Sequence, residues 1–238
     1  MAQNWHDLLF AHWPVPVEDL RRVVPAALGI DTFDGQAWVG VIPFRMSGVR
    51  PRLVPSTPWL SAFPELNVRT YVTVDDKPGV WFFSLDAGNP VAVEAARRWF
   101  NLPYFYARMS SSELGDDIHY TNHRIHRGAP QADFVGRYRP TAQVFHSEPG
   151  SLAHWLTERY CLYALDARAQ LYRGEIHHAR WPLQPAEAEI EVNTMTLPHG
   201  IRLPDTSPLL HFARRLDVVV WPLRRVRVAT PAPNSKSN

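Results

Sequence analysis

Runs of strand-type sequence recur along this chain too densely for anything but a sheet-dominated fold. Ala37–Pro43, Leu66–Val74, Val80–Asp86, Ile118–Arg127, Asp133–Arg139, Ala188–Met195 and Leu216–Trp221 are rich in β-branched and aromatic residues at strand length. The 22 prolines are spread between and within these runs, so they punctuate short elements and leave no room for long helices. Asp75-Asp76-Lys77-Pro78-Gly79 carries the chemistry of a tight turn and predicts a hairpin between the second and third runs. Three helices are expected. Val17–Val24 stops before Pro25, and Val91–Phe100 follows a cap at Asn89 with Pro90 at the first helical position. Ser151–Leu165 places Leu152, Trp155, Leu156, Cys161 and Leu162 at helical spacing. Strands adjacent in sequence, with helices interspersed but not alternating, indicate an α+β fold that is mainly antiparallel β.

The 238 residues, 45% of them apolar, can bury a sizeable core, and no interior linker or repeat divides them. A single domain over residues 1–228 is expected, followed by a small, polar, proline-bearing tail at 229–238 that is expected to be disordered. Met1–Trp13 lacks a basic leader and a continuous apolar run, and nothing resembles a membrane span, so a cytoplasmic protein without a membrane partner is expected. A formal charge of +2 gives no electrostatic case for nucleic acid. One cysteine, Cys161, excludes an internal disulfide. Lys77 and Lys236 are the only lysines, which confines Schiff-base chemistry to two positions.

The segment richest in chemistry is Phe63-Pro64-Glu65-Leu66-Asn67-Val68-Arg69-Thr70-Tyr71-Val72. With a two-residue period, Glu65, Asn67, Arg69 and Tyr71 share one face of a strand, while Leu66, Val68, Thr70 and Val72 share the other. In the hairpin partner, strict alternation puts Phe82, Ser84 and Asp86 opposite Trp81, Phe83 and Leu85. Pairing of the two strands would gather two acids, an amide, a guanidinium and a phenol on one surface. A solvated sheet face is one explanation and a buried Glu65–Arg69 ion pair another. A pocket lining fits the residue types better. There Arg69 offers a planar fork for an anion, Glu65 a proton-transfer group once desolvated, and Asn67, Tyr71 and Asp86 positioning contacts.

Other motifs carry less. His119, His123 and His126 lie in one strand-like run without an acidic ligand at metal spacing, and no metal or other cofactor is expected. The Glu187, Glu189, Glu191, Asn193 alternation reads as a solvated face. Cys161 reads as a packed, inert helix residue. Trp5 and Trp13 read as core, with His12 beside Trp13 able to reach a pocket.

Leu9-Phe10-Ala11-His12-Trp13, Glu65 to Val72, Phe82-Phe83-Ser84-Leu85-Asp86-Ala87, Leu102-Pro103-Tyr104 and Leu156-Thr157-Glu158-Arg159-Tyr160 together resemble the YqjF-like family of bacterial domains of unknown function. The resemblance runs from about Trp5 to Val226. That family belongs to the acetoacetate-decarboxylase-like superfamily, which implies a large antiparallel sheet curled into a cone or barrel, with a few flanking helices, around an enclosed cavity, in homo-oligomers. The decarboxylases take their Schiff-base lysine from a Pro-Lys-Lys segment. The similar segment here is Pro103-Tyr104-Phe105, without lysine, so the fold is implied and the lysine chemistry is not. Tyr104 then stands at the vacated position. Two functions remain open: a lysine-independent acid/base enzyme of lyase type using Glu65 and Arg69, and a non-catalytic small-ligand or regulatory module.

Overall fold

The computed structural model describes residues 1–50 and 62–226; the expected tail at 229–238, and Lys236 with it, lie outside the described residues. In chain order the elements are β1 (Ala2–Val15), α1 (Val17–Val23), β2 (Gly29–Ile30), β3 (Ala37–Arg50), β4 (Phe63–Val74), β5 (Lys77–Ala87), α2 (Pro90–Phe100), β6 (Tyr104–Leu114), β7 (Asp117–Arg124), β8 (Asp133–Pro140), α3 (Leu152–Thr157), β9 (Cys161–Leu165), β10 (Leu171–His178), β11 (Gln184–Asn193), β12 (Leu209–Val220) and β13 (Arg224–Arg225). The strands form one mixed, mainly antiparallel sheet in the order β13-β10-β9-β5-β6-β7-β8-β11-β12-β1-β3-β4-β2. β5 runs parallel to both β6 and β9.

Two extra pairings, β5 with β4 and β10 with β12, curl this sheet back on itself. Both arise because a strand forks. β5 gives one edge to β4; on its other edge Val80 and Trp81 pair with β9, and Leu85 to Ala87 pair with β6. β12 likewise pairs with β1 on one edge and divides the other between β11, at His211 and Phe212, and β10, at Val218 to Val220. The sheet thus closes by two routes through one shared wall, β12-β1-β3-β4-β5, one by way of β6-β7-β8-β11 and the other by way of β9-β10.

Both faces of that wall are buried. Leu9, Ala11, Val41, Leu66 and Val68 pack with Ile118, Tyr120, Phe134 and Tyr138 of β7 and β8. Phe10, Ile42, Phe44, Tyr71 and Phe82 pack with Leu162, Ile176, Trp181 and Leu156 of α3. The wall strands therefore read as nearly continuous apolar runs, with every polar residue in them an exception that calls for a partner.

α1 and α2 form where the caps and prolines direct; the Asn89 side chain accepts from the amides of Val91 and Ala92 at 3.0 and 3.1 Å. The helix expected over Ser151–Leu165 stops at Thr157, and Cys161–Leu165 is β9. Cys161 is accordingly a buried strand residue, not a helical one. The cause is visible in the carbonyls. Trp155 O, the natural acceptor for the amide of residue 159, takes the Arg159 Nε instead, at 2.6 Å. Leu156 O accepts from Tyr71 and Arg69 of β4. Tertiary donors cap the helix where its own next turn would have continued.

Candidate functional site

On the α3 side of the wall, β4 presents Glu65, Asn67 and Arg69 as a stripe, two residues apart. Their cross-strand neighbours are Phe44, Ile42 and Gly40 on β3, and Ala87, Leu85 and Phe82 on β5. The stripe is set in an apolar bed and is itself buried: Glu65 is 2% exposed, Asn67 7% and Arg69 8%. The solvated-face explanation is therefore excluded for these residues. A Glu65–Arg69 ion pair does not form either: Glu65 Oε1 bonds Tyr104, and Glu65 Oε2 and Arg69 Nε have no partner. Arg69 spends its Nη2 on Leu156 O at 3.1 Å and on Tyr71 Oη at 3.3 Å.

His12 enters the same region from β1. Gly40, its cross-strand partner, has no side chain, and a Cβ there would stand 3.0 Å from the imidazole. The ring packs against Phe10 at 5.9 Å and bonds Tyr71 Oη through Nε2 at 2.6 Å. Tyr71 gives its hydroxyl proton to Leu156 O at 2.8 Å, so Nε2 of His12 is the donor to Tyr71, and Nδ1 is left as an acceptor. Burial, with Arg69 and His211 nearby, holds His12 well below the ordinary imidazole range, in the neutral form this chain of bonds requires. A second guanidinium, Arg159, lies 4.9 Å from the Tyr71 ring centre; its Nη1 pairs with Asp31 at 2.6 Å.

At the other end of the stripe, Tyr104 of β6 donates to Glu65 Oε1 at 3.3 Å. Desolvation pushes the Glu65 carboxyl up to about 8, with Tyr104 and Asn67 pulling the other way and Asp86 adding a little. The group is then largely protonated at neutral pH. Since Oε1 accepts from Tyr104, the acid proton sits on Oε2, which has no partner. Burial and the neighbouring Glu65 carboxyl likewise keep the Tyr104 phenol well above its usual range.

The orphaned atoms define the site. Glu65 Oε2, Asn67 Oδ1, Arg69 Nε and His12 Nδ1 are all buried without a partner, and so are the indole nitrogens of Trp5 and Trp181 in the same core cluster. Each such atom costs about 1–3 kcal/mol unless something meets it. Two open concavities lie elsewhere on the molecule. One of about 340 Å³ is lined by Arg137, Arg139, Glu187 and Glu189, and one of about 480 Å³ by Val15, Val17, Gln36 and Pro204. Neither has a polar orphan in its lining.

Asp86 does not join this group. Phe83 is a surplus residue in β5: Val68 pairs with Ser84 but Arg69 pairs with Phe82. The bulge turns Ser84 and Asp86 to the opposite face, beside Val68 and Leu66. There Asp86, 0% exposed, is held by Arg124 through bonds of 2.6 to 3.1 Å and by Asn122 at 3.2 Å. Phe105 stacks beneath the Arg124 guanidinium, 4.2 Å from its ring centre. Of the histidine run, His119 and His123 point outward, with His123 bonded to Asp133, while His126 Nδ1 accepts from the Tyr106 amide. Among the described residues, no cluster of three or more His, Cys, Asp or Glu is placed to hold a metal ion. Glu187 and Glu189 lie on a solvated face, paired with Arg139 and Arg137. Lys77, at the start of β5, binds Glu175 at 2.9 Å. Among the described residues no helix is long and apolar enough to cross a membrane. The meeting of Arg69 and Tyr71 on Leu156 O, with Arg159 over the Tyr71 ring, leaves no local mark in the sequence.

Comparison with known proteins places this geometry. Residues 2–217 match the DUF2071 family, described as an uncharacterized conserved protein, and the chain belongs to that family. It is 52% identical over 225 residues to the uncharacterized protein YqjF of Bacillus subtilis (strain 168), covering 94% of this chain and 92% of that one. Among solved structures it is similar to acetoacetate decarboxylase from Legionella pneumophila, at 12% identity and a TM-score of 0.63, over 95% of this chain and 87% of the other. It is also similar to the enduracididine biosynthesis enzyme MppR complexed with pyruvate, at 10% identity and a TM-score of 0.65, over 96% and 91%. The fold is thus acetoacetate-decarboxylase-like, as the sequence resemblance implied.

Proposed function

We propose that this DUF2071-family protein binds a small carboxylated or oxygen-rich organic molecule along the Glu65–Asn67–Arg69 stripe and acts on it by proton transfer, without a Schiff-base lysine. The observation that carries the reading is the buried row of unmet polar atoms, which a ligand of complementary polarity would satisfy together. Arg69 is the anion clamp, its Nη2 anchored on Leu156 O and its Nε free to bond an oxyanion. Glu65 is the acid. Its neutral carboxyl delivers the Oε2 proton to a developing oxyanion or carbanion, and the resulting carboxylate recovers a proton in the reverse sense. Tyr104 orients Glu65 through Oε1, and Asn67, Tyr71 and His12 position the ligand. The related MppR structure with pyruvate supports a small oxo acid as the class to test first. The proposed setting is the cytoplasm, with copies of the chain associating and a small molecule as the partner.

The second reading, a non-catalytic binding module on the same stripe, draws on the same row of unmet atoms, which a ligand could satisfy without reacting. One experiment separates the two. A panel of small organic acids is screened by thermal shift against the wild type and Arg69→Ala, and any binder is then followed for turnover with the wild type and Glu65→Gln. A ligand at 100 times its Kd adds about 2.7 kcal/mol of stability, a readable shift. Binding by the wild type that disappears in a folded Arg69→Ala protein is expected, with turnover lost in Glu65→Gln. Binding without turnover in the wild type selects the module, and a wild type unmoved by every acid overturns both.

A further inference from the structure

The chain that meets the Arg69 end of the stripe is attached unlike the rest of the fold. It runs as residues 146–159, with α3 in its middle, between two backbone anchors. Phe145 exchanges bonds of 2.7 and 2.9 Å with Leu183, and Tyr160 O accepts from the Ile176 amide at 2.8 Å. Among the described residues, no backbone-to-backbone hydrogen bond leaves the stretch between them. The amides of Ser151, Trp155, Glu158 and Arg159 all bond carbonyls within it. α2 packs along β6, whereas α3 runs along no other element. Side chains hold the stretch down instead. Arg180 reaches Ser147 O, the Trp181 amide donates to Glu158 Oε1, and Arg159 pairs with Asp31. Trp155 lies 4.7 Å from the Tyr71 ring centre, and Leu156 is buried in the same core cluster as Phe10 and Tyr71.

The central attachment is the informative one. Leu156 O takes two donors from β4 at once, Arg69 Nη2 at 3.1 Å and Tyr71 Oη at 2.8 Å. Arg69 is buried and bonds only this neutral carbonyl and the phenol. An oxyanion in the same place would be the stronger acceptor for a guanidinium. We infer that residues 146–159 form a flap that opens as a unit, latched shut by the Leu156 carbonyl on donors an oxyanion would take. That the latch is autoinhibitory rests on the binding reading above; that the flap opens does not. Opening breaks side-chain bonds and exposes Leu156 but disrupts no sheet ladder, so it demands less than unfolding the wall. It also relates to the sealed atoms. Arg69 and His12 both bond Tyr71, and their unmet Nε and Nδ1 have no access to water while the flap is down.

Hydrogen–deuterium exchange of the full wild-type chain tests this without a ligand, by comparing peptides within 148–159 with those of β1 and β3. The bonded amides of Trp155, Glu158 and Arg159 are expected to exchange about a hundredfold or more faster than those of the wall. Tyr71→Phe keeps the ring against Trp155 and removes one latch bond; Arg69→Met removes the other. Each should speed exchange in the flap about fivefold relative to the wall. A flap that exchanges no faster than the wall overturns the inference on the wild type alone, whether or not a variant folds. Exchange that rises equally in flap and wall in the variants overturns it too, since the Leu156 bonds would then hold the whole fold. Sodium pyruvate, set against sodium chloride at equal ionic strength, reads the autoinhibition. Pyruvate that binds and speeds flap exchange in the wild type is expected. Pyruvate that binds and leaves the flap unchanged overturns the autoinhibitory role alone. A failure of every acid to bind overturns the binding reading, and with it the autoinhibition, and leaves the opening standing.

Discussion

Two buried acid–arginine sets occupy opposite faces of the same strand pair and have been treated differently by the fold. On one face Asp86 and Arg124 meet in a fork-to-fork pair with Asn122 completing it; burial lifts the Asp86 carboxyl above its ordinary range while the Arg124 bonds hold it back. On the other, Glu65 and Arg69 do not pair with each other. Each is held by a neutral neighbour, Tyr104 for the acid and Leu156 O for the guanidinium, and each keeps an unpaired atom. The difference separates two uses of buried charge. A pair that neutralises itself fixes one strand arrangement, whereas two unpaired groups, on the proposed reading, keep their hydrogen bonds for a ligand.

The contrast can be broken by mutation. Asp86→Ala leaves Arg124 buried without its carboxylate and is expected to cost about 3–5 kcal/mol in denaturant unfolding. A loss no larger than that of an Arg69 variant would mean the two sets are energetically alike.

Next in size is a pH effect confined to Glu65. Its folded-state value, about 8, lies above that of the unfolded chain, so the folded state holds the proton longer. The associated stability is complete below about pH 4.5 and drains away as pH rises through 8. Replacement by Gln removes the titration, so the wild type should lose on the order of 3–4 kcal/mol relative to Glu65→Gln between pH 5 and 8. His12, lowered in the fold, has the opposite sign, losing stability as pH falls below about 6.5, and it cancels in this difference because both proteins carry it. Parallel pH curves for the two proteins would place a normal carboxylate at position 65.

Gly40→Ala tests the local packing of the unpaired face. Its new Cβ meets an imidazole held at 2.6 Å by Tyr71, which has little room to yield, and a cost of about 1–3 kcal/mol is expected along with weakened ligand binding. Arg69→Met should cost only about 1 kcal/mol, because no carboxylate is stranded and Leu156 O keeps its bond from Tyr71. Arg137→Ala, at an exposed pair with Glu189, should leave the unfolding midpoint where it is, a baseline for the other four.

The stripe itself was legible. Glu65, Asn67, Arg69 and Tyr71 alternate with apolar residues in sequence and do share one buried face, because strand periodicity is local. The misplaced Asp86 shows where local reading stops. The Phe83 bulge has no glycine or proline to announce it and depends on how β5 is paired along both edges. The shortened α3 has the same origin, since its last carbonyls are claimed by side chains from β4, dozens of residues earlier in the chain. The sheet's double closure was also beyond the sequence: Cys161–Leu165, which becomes β9, reads locally as helix, and nothing in β5 or β12 marks where they divide.

The surplus residue at Phe83 sets the phase of its strand. Before it, β5 lends side chains to the Arg69 face in step with β4; after it, the step is inverted, and Asp86 falls to Arg124. Were the same residues paired in unbroken register, with Phe83 across from Val68, Asp86 would fall across from Glu65, a second carboxyl on that side, and Arg124 would be left alone on the other. One backbone irregularity, with no polar atom of its own in its side chain, thus decides which face of the wall receives the acid and which face is left waiting for it.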